Sequence, residues 1–152
     1  MDYIKYIREK VGNDTIIMVG CGACIYKDGK VLLQKRRDNG CWASHGGYME
    51  IGETTEETAR REVFEETGLI CGKLDFLGVY SGSDMIFSYD NGDSVCLVNV
   101  VYICQDFSGE MLNETDETLE LKWFDVDKLP EGISAIDKKW FDDFIAWEKD
   151  KR

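Results

Sequence analysis

A glutamate-dense stretch from Gly46 to Leu69, GGYMEIGETTEETARREVFEETGL, constrains this chain more than any other. Thr54 followed by Glu57 makes a capping box, Gly52 gives a flexible approach, and Gly68 supplies a left-handed stop, so a helix is predicted from Thr54 to Gly68. At about 100° per residue, with Glu62 at zero, Glu66 lies about 40° to one side and Glu65 about 60° to the other. Three carboxylates therefore share an arc of roughly 100°. Like charges at these spacings cost a helix on the order of a few tenths of a kcal/mol per pair, and no lysine at neighbouring positions relieves them. A divalent cation converts that repulsion into attraction, and all-oxygen donors suit Mg²⁺ or Mn²⁺. On spacing alone, a solvated acidic face stays open as the simpler alternative.

The pattern becomes specific when its neighbours are included. Gly47, Glu53, Arg61, Glu62, Val63, Glu65, Glu66, Gly68 and Leu69 fit G-x5-E-x7-R-E-U-x-E-E-x-G-U without a departure. This segment, residues 47–69, resembles the Nudix box, and the order of elements around it resembles the MutT-like hydrolases of the Nudix family over nearly the whole length. The resemblance implies a loop-helix-loop that binds divalent metal through Glu62, Glu65, Glu66 and the backbone carbonyl of Gly46, with Arg61 and Glu53 as supports. There is a physical case for the last pair: Glu53, just ahead of the helix, can accept a bidentate bond from the Arg61 guanidinium and hold loop against helix. The resemblance also implies one more glutamate from a later loop. Glu117 and Glu120 both qualify, and Glu120, three residues before Trp123, fits the family spacing better.

Composition sets the outer limits. At 152 residues the chain has the length of one domain, expected to run from 1 to 152. With 18 basic against 30 acidic residues, a net charge of −12 argues against binding nucleic acid or an anionic membrane. The start MDYIKYIREK lacks a basic, apolar leader, and no apolar run reaches membrane-spanning length. A cytoplasmic location is expected. The six cysteines are scattered through apolar segments, so reduced thiols are expected. Cys21 and Cys24 form C-x-x-C, but strand alternation sends them to opposite faces and no second pair follows at zinc-ribbon spacing.

Tyr3, Ile4, Ile7 and Val11 predict a short helix ending at Gly12. Thr15 to Tyr26 and Val31 to Lys35 read as a hairpin through Lys27-Asp28-Gly29-Lys30. It ends in Lys35, Arg36 and Arg37, the one compact basic run, from which at least one contact to substrate phosphate is open; a solvated strand end is the plainer reading. Cys41 to Gly47 reads as a strand into the box. Many relatives of the family have Leu-Pro where this chain has Ser44-His45, and the simplest reading makes His45 a tolerated loop residue, with a role on substrate or titration near neutral pH as the alternative.

Lys73 to Tyr80, Met85 to Tyr89 and Val95 to Cys104 read as strands, with a turn at Asn91-Gly92. Tyr80, Phe87, Tyr89 and Tyr102 are aromatics of a kind that can stack on a base, although core positions explain them more simply. Val126 to Pro130 reads as a short helical turn. Ile136, Trp140, Phe144 and Trp147 then form a helical apolar stripe, expected to dock on the sheet, with a homodimer interface as the alternative.

The expected fold is α+β, the Nudix-type α/β/α sandwich with a mixed β-sheet between helices that the resemblance implies. The expected function is metal-dependent hydrolysis of a phosphoanhydride (pyrophosphate) bond in a small nucleoside diphosphate derivative. A nucleoside triphosphate ranks first because the chain is compact, with ADP-ribose or a nucleotide sugar as alternatives. A different class, a non-catalytic nucleotide-binding module, is disfavoured because every box carboxylate is present.

Overall fold

The computed structural model describes residues 2–151. Helix α1 (Tyr3–Val11) starts on the Asp2 side chain, which accepts from the Lys5 N–H, and stops at Gly12. Strands β1 (Ile16–Lys27) and β2 (Lys30–Arg36) make the expected hairpin, whose Asp28 and Gly29 both have positive φ. Then follow β3 (Trp42–Ala43), β4 (His45–Tyr48), α2 (Thr55–Thr67), β5 (Ile70–Cys71), β6 (Leu74–Tyr80), β7 (Ile86–Ser88), β8 (Ser94–Cys104), β9 (Phe107–Ser108), β10 (Thr118–Asp125) and α3 (Ala135–Lys151).

Eight of the strands form one mixed sheet with the main order β10-β2-β1-β8-β6; β3 joins β2, β4 joins β1 and β7 joins β8. The pairing of β1 with β8 is parallel and runs from Ile16↔Val95 to Ile25↔Cys104. Burial on both faces explains why the interior of β1 reads as an almost unbroken apolar run. Its odd positions Cys21, Ala23 and Ile25 pack with Leu32 against Ala59 and Val63 of α2. Cys24, Val31, Leu33, Val101 and Ile103 pack on the other face against Trp140, Phe141 and Phe144 of α3. Helices therefore cover the two faces of one sheet, the α+β sandwich expected. Cys21 and Cys24 fall on opposite faces, and all six cysteines are free thiols.

Three local readings are corrected. The strand expected from Cys41 to Gly47 is interrupted at Ser44, whose N–H turns away to the Asp137 carboxylate at 2.9 Å. The helical turn expected from Val126 to Pro130 is shorter, a single turn closed by Lys128 N–H to Asp125 carbonyl at 2.9 Å. The segment from Met85 opens as part of a 3₁₀ turn (Ser83–Met85), and its strand begins at Ile86. Beyond these, β5 and β9 form a separate two-stranded ribbon that periodicity does not reveal, because each is only two residues long. Among the described residues no helix is long and apolar enough to cross a membrane.

Candidate active site

Helix α2 is built as its sequence demands. Thr54 Oγ1 accepts from the Glu57 N–H and the Glu57 side chain accepts from the Thr54 N–H, while Gly68 closes the helix in the left-handed region at φ 81°. The helix is held less by apolar burial than by polar ties. Arg61 makes most of them: Nε and Nη2 grip the two Glu53 oxygens at 2.7 and 2.9 Å, and Nη2 also reaches the Tyr48 carbonyl at 3.0 Å. Glu53 in turn accepts from the Glu50 N–H at 2.8 Å and Thr58 Oγ1 at 3.0 Å. The Arg61 guanidinium and these donors hold the Glu53 carboxyl down at about 2.

The carboxylate arc rolls from core to solvent. Glu66 is 4 % exposed, the Glu62 side chain 15 % and the Glu65 side chain 55 %. Arg61 Nη1 lies 2.8 Å from Glu62 and 3.5 Å from Glu65, so an arginine on the helix itself relieves part of the repulsion. Glu66 accepts from the Gly46 N–H at 2.9 Å, and the neighbouring Gln34 side chain favours its charged form. Burial pushes the Glu66 carboxyl well above the usual carboxylate range, and burial also raises Glu62 although Arg61 opposes it. Among the described residues no three such side chains close into a tight ligand cluster, because Glu62 turns to Arg61 and Glu66 to the Gly46 N–H.

The glycines explain how a carboxylate comes to lie on a strand. A Cβ on Gly47 would overlap the Glu62 carboxyl group, and one on Gly46 or Gly22 would strike the backbone of the facing strand. β1 and β4 approach more closely than side chains permit, and the cradle so formed holds Glu62 against the backbone. Glu62 and Glu66, whose ionised forms are penalised by burial, with Glu65 at the solvent edge make an all-oxygen donor set chemically fitted to a hard divalent cation, which would supply the missing positive charge.

Strand alternation sorts the remaining candidates. On β2, Leu32 and Gln34 face α2, and Arg36 follows them: it lies within electrostatic reach of Glu66 and Glu117, and its guanidinium is paired with Asp38 at 2.9 and 3.0 Å. Val31 and Leu33 face α3, and Lys35 goes with them, away from the carboxylate arc. Arg37 is taken by Glu114 at 3.0 Å and by the Thr115 carbonyl. Of the basic run, one member faces the site.

The same alternation separates the two late glutamates. The unbroken register from Asp125 to Glu120 puts Glu120 opposite Lys35, on the α3 side of the sheet, and the register shifts only between Glu120 and Thr118. Glu117, just before that irregularity, raises Glu62 electrostatically and acts on Arg36. Glu120 lies an odd three residues from Trp123, which packs on the α2 face, so regular alternation alone sends Glu120 to the other face.

His45 is also not a loop residue. It lies in β4, fully buried, with Nε2 3.0 Å from the Leu32 carbonyl, and its Nδ1 has no hydrogen-bond partner among the described residues. Burial holds its pKa down at about 4, so it is neutral near pH 7. Tyr102 is a core residue whose hydroxyl meets Thr55 Oγ1 at 2.6 Å, whereas Tyr89 is half-exposed and its hydroxyl meets that of Tyr48 at 2.8 Å.

Comparison with known proteins agrees with this geometry. A family model described as the NUDIX domain matches residues 17–144. An ADP-ribose pyrophosphatase of Methanocaldococcus jannaschii is 38 % identical over 149 residues, covering 96 % of this chain and 79 % of that protein. An oxidized purine nucleoside triphosphate hydrolase of Danio rerio is 33 % identical over 126 residues, covering 81 % of this chain and 72 % of that protein. The crystal structure of a MutT NUDIX hydrolase from Burkholderia pseudomallei superposes with a TM-score of 0.72 at 33 % identity, covering 84 % of this chain and 97 % of its own. The chain belongs to the Nudix family, enzymes that use divalent metal to hydrolyse pyrophosphate linkages in small nucleotide substrates.

Proposed function

We propose that this single-domain enzyme binds Mg²⁺ or Mn²⁺ through Glu62, Glu65, Glu66 and the Gly46 carbonyl, and cleaves the phosphoanhydride of a nucleoside diphosphate derivative in the cytoplasm. The observation that carries the reading is the Glu62 carboxylate lodged in the Gly47 cradle, beside a buried Glu66 tied to the Gly46 N–H. A divalent ion there supplies neutralisation of phosphate charge and activation of water. Arg61 and Glu53 hold loop and helix in register, so the donors stay fixed while substrate exchanges. Arg36 is the residue we assign to substrate phosphate, released from Asp38 as a phosphate takes its place. Glu117, within electrostatic reach of Glu62 and Arg36, is assigned the proton of the attacking water.

Substrate specificity depends on residues outside the box. Similarity to the M. jannaschii ADP-ribose pyrophosphatase spans 96 % of this chain, so it includes those residues, and it moves ADP-ribose ahead of the nucleoside triphosphates that compactness alone favours. The nucleoside triphosphate reading stays second, supported by the D. rerio relative. Phosphate, pyrophosphate and nucleoside monophosphate release from ADP-ribose, nucleoside triphosphates and nucleotide sugars, each with Mg²⁺, Mn²⁺ or chelator, decides the matter. The expected result is metal-dependent AMP formation from ADP-ribose; pyrophosphate release from triphosphates alone selects the second reading, and no release from any substrate overturns both.

A further inference from the structure

Gln34 is the least expected residue on the α2 face of the sheet. It is 1 % exposed and follows the apolar Leu32 on the same face of β2, a position where an uncompensated amide is costly. Both ends of its amide are engaged. Oε1 accepts from Thr118 Oγ1 at 2.6 Å, Nε2 donates to the Ser44 carbonyl at 3.1 Å, and the same side chain favours the charged form of the neighbouring Glu66. Each partner belongs to a different part of the site. Glu66 is on the box helix, Ser44 lies two residues before Gly46, and Thr118 directly follows Glu117.

Ser44 carries the connection onward. Its N–H and Oγ both donate to the Asp137 carboxylate, at 2.9 and 3.1 Å, and Trp140 Nε1 donates to the same group at 3.1 Å. A buried polar chain thus runs from the first turn of α3, through the break between β3 and β4, to Gln34 beside Glu66. A network whose members are all satisfied fixes one geometry rather than several.

We propose that Gln34 is a positioning residue for catalysis, fixing the Glu66 carboxylate, the strand leading into Gly46 and the loop bearing Glu117 in one mutual arrangement, with Ser44 and Asp137 anchoring it from α3. Thr118 sets the sense of the amide: by donating to Oε1 it leaves Nε2 to donate to the Ser44 carbonyl. The inference rests on the reading of Glu66 as a metal ligand.

The test compares the parent with Gln34→Met, which keeps length but removes the amide, and with Thr118→Val, which removes only the bond that orients it. Mn²⁺ binding to the substrate-free protein is followed by electron paramagnetic resonance, kcat and KM are measured on the substrate the parent hydrolyses, and thermal melts report folding. For Gln34→Met, Mn²⁺ affinity falls about tenfold and kcat about ten- to hundredfold, with KM changed less than about threefold. Thr118→Val shifts both in the same direction by about three- to tenfold. A folded Gln34→Met that matches the parent within about twofold in Mn²⁺ affinity and kcat overturns the proposal. Should Gln34→Met not fold, Thr118→Val decides by the same criterion. A parent that neither binds Mn²⁺ nor turns over with it removes the metal reading and this inference together, whereas an active parent with unaffected variants removes the inference alone.

Discussion

Helices α2 and α3 cover opposite faces of the same sheet and do so by different means. α3 buries Trp140, Phe141 and Phe144, stacked edge and face upon one another and upon Tyr26 and Trp147. α2 buries Thr58, Ala59, Val63, Glu66 and Thr67, small or polar groups, and is secured by Arg61, Thr58 and Thr67 hydrogen bonds. Strand β2 shows the division within seven residues, presenting Leu32, Gln34 and Arg36 to one helix and Val31, Leu33 and Lys35 to the other. The aromatic face supplies the burial that keeps the chain folded. The polar face uses that stability to hold carboxylates where isolated they would repel.

If the faces divide the work this way, substitutions on each should separate stability from turnover. The largest effect is expected for Phe144→Ala: a loss of about 3–5 kcal/mol in denaturant unfolding, with turnover per folded molecule unchanged. A variant equally stable, or one inactive while fully folded, breaks the division.

His45 sharpens it through pH. Its native pKa of about 4 lies below its ordinary 6.5, so between these values the unfolded chain takes up a proton that the native protein does not. Stability from His45 is therefore complete above pH 6.5 and falls as the pH drops towards 4, by about 3 kcal/mol at most. Asp137 opposes this, since burial raises its pKa from 3.8 to about 6 and its contribution is lost as pH rises through that value. His45→Gln isolates the first effect: urea unfolding at pH 7 and pH 4.5 should show a smaller acid loss in the variant than in the parent.

Gly47→Ala should do the reverse of Phe144→Ala. Its Cβ meets only the mobile end of Glu62, so unfolding should change by less than about 1 kcal/mol while kcat/KM falls at least about tenfold. Smallest are the basic residues. Arg36→Gln should raise KM several-fold, on the order of 1 kcal/mol of lost phosphate contact, whereas Lys35→Gln, on the α3 side, should stay within about twofold in steady-state kinetics.

Much of the α2 face is legible in the sequence because it is local. The Thr54 cap, the Gly68 stop and the Glu53–Arg61 pair are set by neighbours a turn or two away. The hairpins are legible for the same reason. What escapes is non-local or depends on one irregular step. The bulge after Thr118 brings that residue opposite Arg36 and onto Gln34 with no signal in composition. His45 is read as loop because the residues that bury it come from β1 and β2, at a distance in sequence. The Gln34–Ser44–Asp137 chain spans about a hundred residues, and no spacing rule links them. The split within the basic run, by contrast, has a sequence signal: period-2 alternation carried from Leu32 through Arg36 puts Arg36 and Lys35 on opposite faces.

The most direct test of the central claim is Mg²⁺-dependent hydrolysis by the parent and by Glu66→Gln, measured side by side with unfolding curves. Glu66 gives up no bulk in this change, so the variant should fold as the parent does and lose at least about a hundredfold in turnover. A folded Glu66→Gln that hydrolyses as fast as the parent, or a parent indifferent to chelator, would contradict it.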